Sequence, residues 1–298
     1  MDSSYMLSNI GEEDNKELEE SMTCAATGQT CQIKYYAHQK IGSGTFGMVY
    51  RILVNESVSY ALKRVFEKRE YLNRELDILC SLSHPNIIRL FWYFYGERNE
   101  KGVVLNLVTD YIKSDAFLCI KDRRFFSRDE FIMYAIMLME GLSYMHGLGI
   151  AHRDIKPSNI LIDTDAQILK ICDLGSAKKI VGSASNILYI CSRYYRAPEI
   201  HMGLSYDLSI DVWGAGCVLF ELLTHHALFP GRNSEECLEV IKYFILQNGL
   251  ANVIKNTERN DLDDCFSILR KMLAYEPSKR ITALEALILF KGLQNKPS

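Results

Sequence analysis

A chain of 298 residues is long enough for two compact domains, or one two-lobed enzyme domain, with a sizeable core. Hydrophobic residues make up 48% and charged residues 24%, with 6 Pro and 18 Gly, which excludes collagenous and wholly disordered chains. The 34 Lys+Arg against 37 Asp+Glu leave a formal charge of -3. No net field draws nucleic acid or an anionic membrane, so neither is an expected partner and any anion site must be local.

Nine Cys occur without a C-x-x-C pair, and the opening MDSSYMLSNIGEED lacks the basic start and apolar run of a secretory leader. A reducing, intracellular protein, cytoplasmic or nuclear, is expected. The most apolar stretch, Val212 to Phe220, is far shorter than the roughly 20 residues that cross a bilayer.

In chain order, residues 1 to 20 hold seven acids against Lys16, and the following dozen are small and polar. Composition reads 1 to 33 as a mobile acidic tail. From Tyr35, short runs broken by Gly and Asn (YYAHQKIG, GMVYRILV, SVSYALKRV, IIRLFWYFYG, GVVLNLVTDY) predict about five antiparallel strands. Tyr71, Leu72, Leu76, Leu79 and Leu82 recur at helical spacing, predicting a helix over Lys68 to Ser81. After Tyr111 the period is helical. Ser127 with Glu130 forms a capping box for a helix ending near His146 and Gly147. Ile210 to Leu223 is apolar on nearly every side, and Ser234 with Glu235 and Glu236, then Thr282 with Glu285, mark two more helix starts. The expected fold is α+β in one domain over 34–292, with a β-rich lobe over about 34–110 and an α-rich lobe over about 113–292. A connector near Asp110 to Lys113 joins them, and the cleft between lobes is the natural ligand site.

Gly42-Ser43-Gly44-Thr45-Phe46-Gly47 lies between two predicted strands, where glycines let backbone N–H groups approach a polyphosphate. The same spacing opens dinucleotide folds, but there a helix follows; here a strand follows, ending at Lys63. Lys63 can pair with phosphate oxygens and Glu75 can hold its ammonium, with a plain surface salt bridge as the alternative.

His152-Arg153-Asp154-Ile155-Lys156-Pro157-Ser158-Asn159, then Asp173-Leu174-Gly175 and Ala197-Pro198-Glu199, follow in order. With these the chain resembles the protein kinases, from about Tyr35 to Phe290. The resemblance implies a two-lobed protein kinase. Asp154 would accept the proton of a Ser or Thr hydroxyl, Lys156 would neutralise the transferring phosphoryl group, and Asn159 and Asp173 would hold Mg2+. ATP would lie between Ile41, Val49, Ala61 and the hinge on one side and Leu161 on the other. Thr109 would form the back wall, with backbone contacts at Asp110 and Ile112. Small Thr109 stands where an apolar residue is expected, and Leu174 replaces the usual Phe.

The strings from Lys68 to Glu75, Val104 to Tyr111, Cys172 to Lys178 and Tyr189 to Glu199 resemble the glycogen synthase kinase-3 (shaggy) family, in the CMGC group. That resemblance implies autophosphorylation of Tyr189, with Arg193 and Arg196 as its partners; a buried, unmodified tyrosine is the alternative. Arg74, Arg153 and Lys178 would form an anion pocket for a phosphate already on the substrate, C-terminal to the acceptor. Arg280 would pair with Glu199 and brace the activation segment, against a plain surface arginine. Cys172 reads as a core thiol.

The first Arg is Arg51, so the tail has no Arg-rich pseudosubstrate stretch. Only 48 residues separate Phe229-Pro230-Gly231 from Arg280, so the family's scaffold-docking insert is shortened and axin-type binding does not carry over. Protein substrates and a monomer are expected. The competing reading is a pseudokinase that binds nucleotide and partners without transfer, and it must ignore Lys63, Glu75, Asp154, Lys156, Asn159 and Asp173. A small-molecule phosphotransferase is disfavoured by the Ser192 to Glu199 segment, a platform for a polypeptide.

Overall fold

The computed structural model describes residues 17–44, 47–68, 74–180, 190–246, 249 and 259–294. They fall into two compact units: one ends at Tyr111, and the other takes His84–Ile87 and continues from Ile112. The first unit is β-rich and the second α-rich, as the sequence predicts.

The first unit holds β1 (Glu17–Cys24), β2 (Thr30–Gly44), β3 (Gly47–Val54), β4 (Val58–Lys68), helix α1 (Arg74–Ser81), β5 (Leu90–Arg98) and β6 (Gly102–Asp110). The strands close into a barrel in the order β1-β2-β3-β4-β6-β5. Period-two alternation drives it: Tyr50, Ile52 and Val54 of β3 turn inward beside Ile33 and Tyr35 of β2 and Leu62 of β4. Strand β6 pairs on both edges, with β4 and β5, and successive residues Val104 to Thr109 are buried, so both faces are covered and the strand reads as an apolar run broken by Asn106.

Two expectations are corrected here. The tail does not extend to residue 33, because β1 pairs with β2 from Glu17↔Tyr36 to Thr23↔Thr30 and with β5 through Cys24↔Trp92. Within β1 only Met22 is buried, so its acid-rich outer face mimics a solvated leader while ladder hydrogen bonds and one anchor hold the strand. Residues 1–16 lie outside the described residues. The helix expected over Lys68 to Ser81 does not include Lys68, which ends β4 paired with Gly102; residues 69–73 lie outside the described set, and the helix is described from Arg74. Gly47 has φ of 145°, and a Cβ there would sit 2.0 Å from the Arg64 carbonyl oxygen, so no other residue fits where the Gly-rich hairpin rejoins β3.

The second unit holds β7 (Ser114–Asp115), α2 (Ala116–Lys121), α3 (Arg128–Gly147), β8 (Ile150–Ala151), β9 (Ile160–Asp163), β10 (Ile168–Ile171) and β11 (Lys178–Lys179). There follow α4 (Pro198–His201), α5 (Ser209–Thr224), α6 (Ser234–Leu246), α7 (Asp263–Met272) and α8 (Ala283–Gln294). The Ser127–Glu130 capping box starts α3 as its sequence predicts, and Glu285 accepts from both the amide and the hydroxyl of Thr282 at the head of α8. Helix α5 is buried without interruption from Ile210 to Leu222, and α2, α3 and α7 pack against it. Among the described residues no helix is long and apolar enough to cross a membrane.

Candidate active site

The loop after β8 is pinned to α5 by a buried carboxylate. Asp211 accepts the backbone N–H groups of His152 at 2.7 Å and Arg153 at 2.9 Å, and meets His146 Nε2 at 3.0 Å. Burial alone would raise the Asp211 carboxyl, yet the His146 hydrogen bond and the neighbouring His and Arg153 amide groups hold it below the ordinary range. His152, fully buried, accepts the Asp154 amide at Nδ1 at 3.2 Å, so Nε2 carries the proton donated to the Cys172 carbonyl at 2.9 Å. One imidazole thus ties the Asp154 loop to the strand leading into Asp173. Arg153 adopts a left-handed φ of 65°, a strained backbone of the kind concentrated at functional loops.

Asp154 sits at the centre of this loop with both carboxylate oxygens engaged. Oδ1 accepts the Ser192 amide and hydroxyl, each at 2.8 Å. Oδ2 accepts Lys156 Nζ at 2.7 Å and Asn159 Nδ2 at 3.3 Å. Lys156 also donates to Ser192 Oγ at 3.2 Å, placing a cation beside a nearly buried carboxylate and the activation segment. The Asn159 amide nitrogen bonds the Asp154 carbonyl oxygen as well, at 2.8 Å, which turns the side-chain oxygen of Asn159 away from Asp154.

Asn159 and Asp173 belong to neighbouring segments, joined by a 2.9 Å bond from the Cys172 amide to the Asn159 carbonyl. Asp173 is left-handed at φ 61°, ψ 69°, and Leu174 beside it is buried at 1% exposure; leucine fills the apolar role expected of that position. A carboxamide and a carboxylate on adjoining backbone are hard oxygen donors suited to Mg2+.

In the first unit Lys63 Nζ lies 2.6 Å from Glu75 Oε1, and Glu75 is 4% exposed, so the pair is a semi-buried link from β4 to α1 and not the surface salt bridge of the alternative reading. Val49 faces Lys63 across the β3–β4 ladder, Gly42 pairs with Val49, and Gly44 pairs with Gly47; Ile41 and Ser43 are exposed at the hairpin. Thr45 and Phe46 lie outside the described residues. Thr109 pairs with Ala61 and is nearly buried. Asp110 accepts the Arg89 amide at 2.7 Å. Ile112 and Leu161 belong to the second unit, both partly exposed.

Glu199 and Arg280 form a buried bidentate pair at 2.7 and 3.0 Å. Arg196 donates to the Ile190 and Cys191 carbonyls and to Ser234 Oγ, while Arg193 donates to the Arg232 carbonyl. Both arginines therefore fasten the activation segment to the start of α6. Tyr189, their expected partner, lies outside the described residues. Arg153 binds the Ser176 carbonyl and the Tyr206 hydroxyl, and Lys178 pairs with Ala151 in the β11–β8 ladder, so these two cations share one locality. Arg74 is exposed at the start of α1 in the first unit. Cys172 is partly exposed.

Sequence reasoning gave neither Asp211 nor Ser192 a contact with the Asp154 loop. A carboxylate inside the otherwise apolar helix Ser209–Thr224 is a signal that could have found Asp211, since an ion there requires partners; nothing local marks Ser192.

A barrel carrying a Lys–Glu pair, joined to a helical unit whose loop clusters Asp154, Lys156 and Asn159, defines a protein kinase. The protein kinase domain family matches residues 35–288. Similar proteins include protein kinase gsk3 of Schizosaccharomyces pombe, 37% identical over 91% of this chain and 77% of the relative. The serine/threonine-protein kinase MRK1 homolog of Encephalitozoon cuniculi is 40% identical over 87% of each chain, and glycogen synthase kinase 1 of Pyricularia oryzae is 34% identical over 93% of this chain and 78% of the relative. The chain belongs to the glycogen synthase kinase-3 family of serine/threonine protein kinases.

Proposed function

We propose that this kinase transfers the γ-phosphate of Mg-ATP to protein Ser/Thr hydroxyls, favours substrates already phosphorylated C-terminal to the acceptor, and autophosphorylates Tyr189. The observation that carries the transfer reading is the Asp154 carboxylate, held on four sides by Ser192, Lys156 and Asn159. Its oxygens are oriented before substrate arrives, so the incoming hydroxyl exchanges for a pre-aligned donor and its proton passes to a fixed acceptor. Lys156 places its ammonium beside that acceptor, where charge develops as phosphate departs from the nucleotide. Lys63, fixed by Glu75, is the phosphate contact of the first unit. Asn159, through its side-chain oxygen, and Asp173 would hold Mg2+, which supplies neutralisation of the phosphate charge. The Gly-rich hairpin, Val49, Ala61, Thr109, the backbone of Asp110 and Ile112, and Leu161 make up the nucleotide set.

The primed-substrate reading rests on Arg74, Arg153 and Lys178. Arg153 is fixed by its bonds to Ser176 and Tyr206, and a phosphate beside an oriented guanidinium gains charge-assisted hydrogen bonds. We further propose an intracellular monomer, and the short segment between Gly231 and Arg280 speaks against axin-type docking.

The test is transfer from Mg-ATP to Ser-x-x-x-Ser peptides with and without phosphate on the second Ser, alongside Asp154→Asn. Preference for the phosphorylated peptide, with transfer abolished by the substitution, is the expected result. Equal use of both peptides removes the primed-substrate reading and keeps the kinase; ATP binding without any transfer favours the pseudokinase.

A further inference from the structure

Arg51 lies in the middle of β3, and its cross-strand partners are Gln39 on β2 and Ala61 on β4. Period two places Arg51 on the same face as Val49, whose partner is Lys63. That is the face assigned above to the nucleotide. Its guanidinium does not extend freely. Nε and Nη2 both donate to Ser59 Oγ, at 3.2 and 3.0 Å, and the same group lies over the Tyr111 ring, 5.0 Å from its centroid.

The register explains the meeting. The β4–β6 ladder ends with Tyr60↔Asp110, so Ser59 and Tyr111 occupy the next position, beyond the last pair. A planar cation that hydrogen-bonds one and stacks on the other continues the connection where the ladder stops. On the other edge Asp110 is fixed through Arg89, whose amide it accepts at 2.7 Å and whose carbonyl it reaches at 3.3 Å. Asp110 is thus held by Arg89, the residue before β5, and Tyr111 by Arg51 of β3.

We propose that Arg51 is a positioning residue for the nucleotide: stacked on Tyr111, it fixes the strand end that presents the backbone groups of Asp110 and Ile112 to adenine. The inference rests on the reading of these residues as the nucleotide hinge. A freely rotating Tyr111 would let the peptide planes on either side wander, and bound nucleotide would have to order them. Loss of the stack therefore weakens ATP binding without altering Asp154 chemistry.

The experiment measures KM for ATP and kcat at saturating peptide, with calorimetric ATP binding in parallel, for the wild type, Arg51→Ala, Tyr111→Leu and the double variant. Each single change is expected to raise KM and Kd about 2- to 5-fold, the worth of an exposed cation–ring contact, with kcat unchanged. The double variant should be no worse than either. Tyr111→Phe, which keeps the ring, should restore affinity, and Arg51→Lys, which lacks the planar fork, should restore it only in part. An unchanged Kd in Arg51→Ala overturns the proposal. So does a rise in Arg51→Ala that Tyr111→Leu does not reproduce, since Arg51 would then touch nucleotide directly. A wild type that binds ATP but transfers no phosphate overturns the proposed function alone, and the Kd series still decides the tether; a wild type that binds no ATP overturns both.

Discussion

Arg280 closes on Glu199 with two hydrogen bonds, at 2.7 and 3.0 Å, while both side chains are essentially shut off from solvent. The same guanidinium donates to the carbonyls of Ala274 and Ser209 and lies over the Trp213 ring, 5.2 Å from the centroid. It joins the end of the activation segment to α5 and to the turn before α8. Removing one partner leaves an uncompensated buried charge, which costs about 3–5 kcal/mol. Arg280→Ala should lose that much in urea unfolding. Replacing both partners with apolar residues of similar volume should cost less than the single change, because no orphaned ion remains; equal losses would show that the packing, and not the charge pair, carries the stability.

Ser192 gives Asp154 Oδ1 two donors, its amide and its hydroxyl. Cys191 just before it is left-handed at φ 63°, and Arg196 anchors the Cys191 carbonyl at 2.9 Å, so the turn that aims the Ser192 amide is fixed independently of the hydroxyl. Ser192→Ala removes the hydroxyl's bonds to two ions, the Asp154 carboxylate and the Lys156 ammonium, while keeping that turn, and a bond to a charged group contributes about 1.5–3 kcal/mol. The expected loss in kcat is roughly 10- to 100-fold, with KM for ATP unchanged. Ser192→Thr, which keeps the hydroxyl, should retain most activity. If Ser192→Ala leaves kcat intact, the Ser192 amide alone suffices to orient the Asp154 carboxylate.

His201 ends α4 beneath the activation segment, and neither ring nitrogen has a partner at ordinary hydrogen-bond geometry. Burial, reinforced by the Arg196 and Arg193 cations, depresses its pKa from 6.5 to about 4. The folded state therefore favours neutral His201, while the unfolded chain takes up the proton near pH 6.5. Between these values the unfolded state binds more protons, so stability falls as pH drops from about 6.5 toward 4, by up to about 1.4 kcal/mol per pH unit. His201→Gln should flatten this part of the stability profile. Urea midpoints from pH 7 to pH 4.5 check it; a variant whose midpoint falls as steeply as the wild type would place the acid sensitivity elsewhere.

The elements that depend on local chemistry were legible in the sequence. The capping box at Ser127, the apolar circumference of α5 and the Thr282–Glu285 start of α8 are encoded within a few residues of where they act. So was the grouping of Asp154, Lys156 and Asn159, which meet over a short span of chain. Features made by distant segments were not. Ser192 reaches Asp154 across 38 positions and Asp211 reaches His152 across 59, and the pairing of these segments leaves no periodic trace.

Strand β1 is the clearest such case, and it gives a direct test. Its sequence ELEESMTC is dominated by exposed residues, so every composition rule assigns it to solvent; its place depends on β2 and β5, which close the barrel around it. Met22 is its one buried anchor, at 0% exposure, packed with Ile33, Tyr35, Tyr50 and Phe94. If the strand is integral to the barrel, Met22→Ala should cost about 2–5 kcal/mol, as for other buried large-to-small changes. Glu19→Gln, at an exposed position of the same strand, should stay within about 0.5 kcal/mol. Hydrogen exchange supplies the second readout: the β1 amides should be protected as strongly as those of β2 in the wild type and exchange faster in Met22→Ala. Rapid exchange of β1 in the wild type, with no stability loss in Met22→Ala, would return residues 17–24 to the solvated tail that their composition suggests.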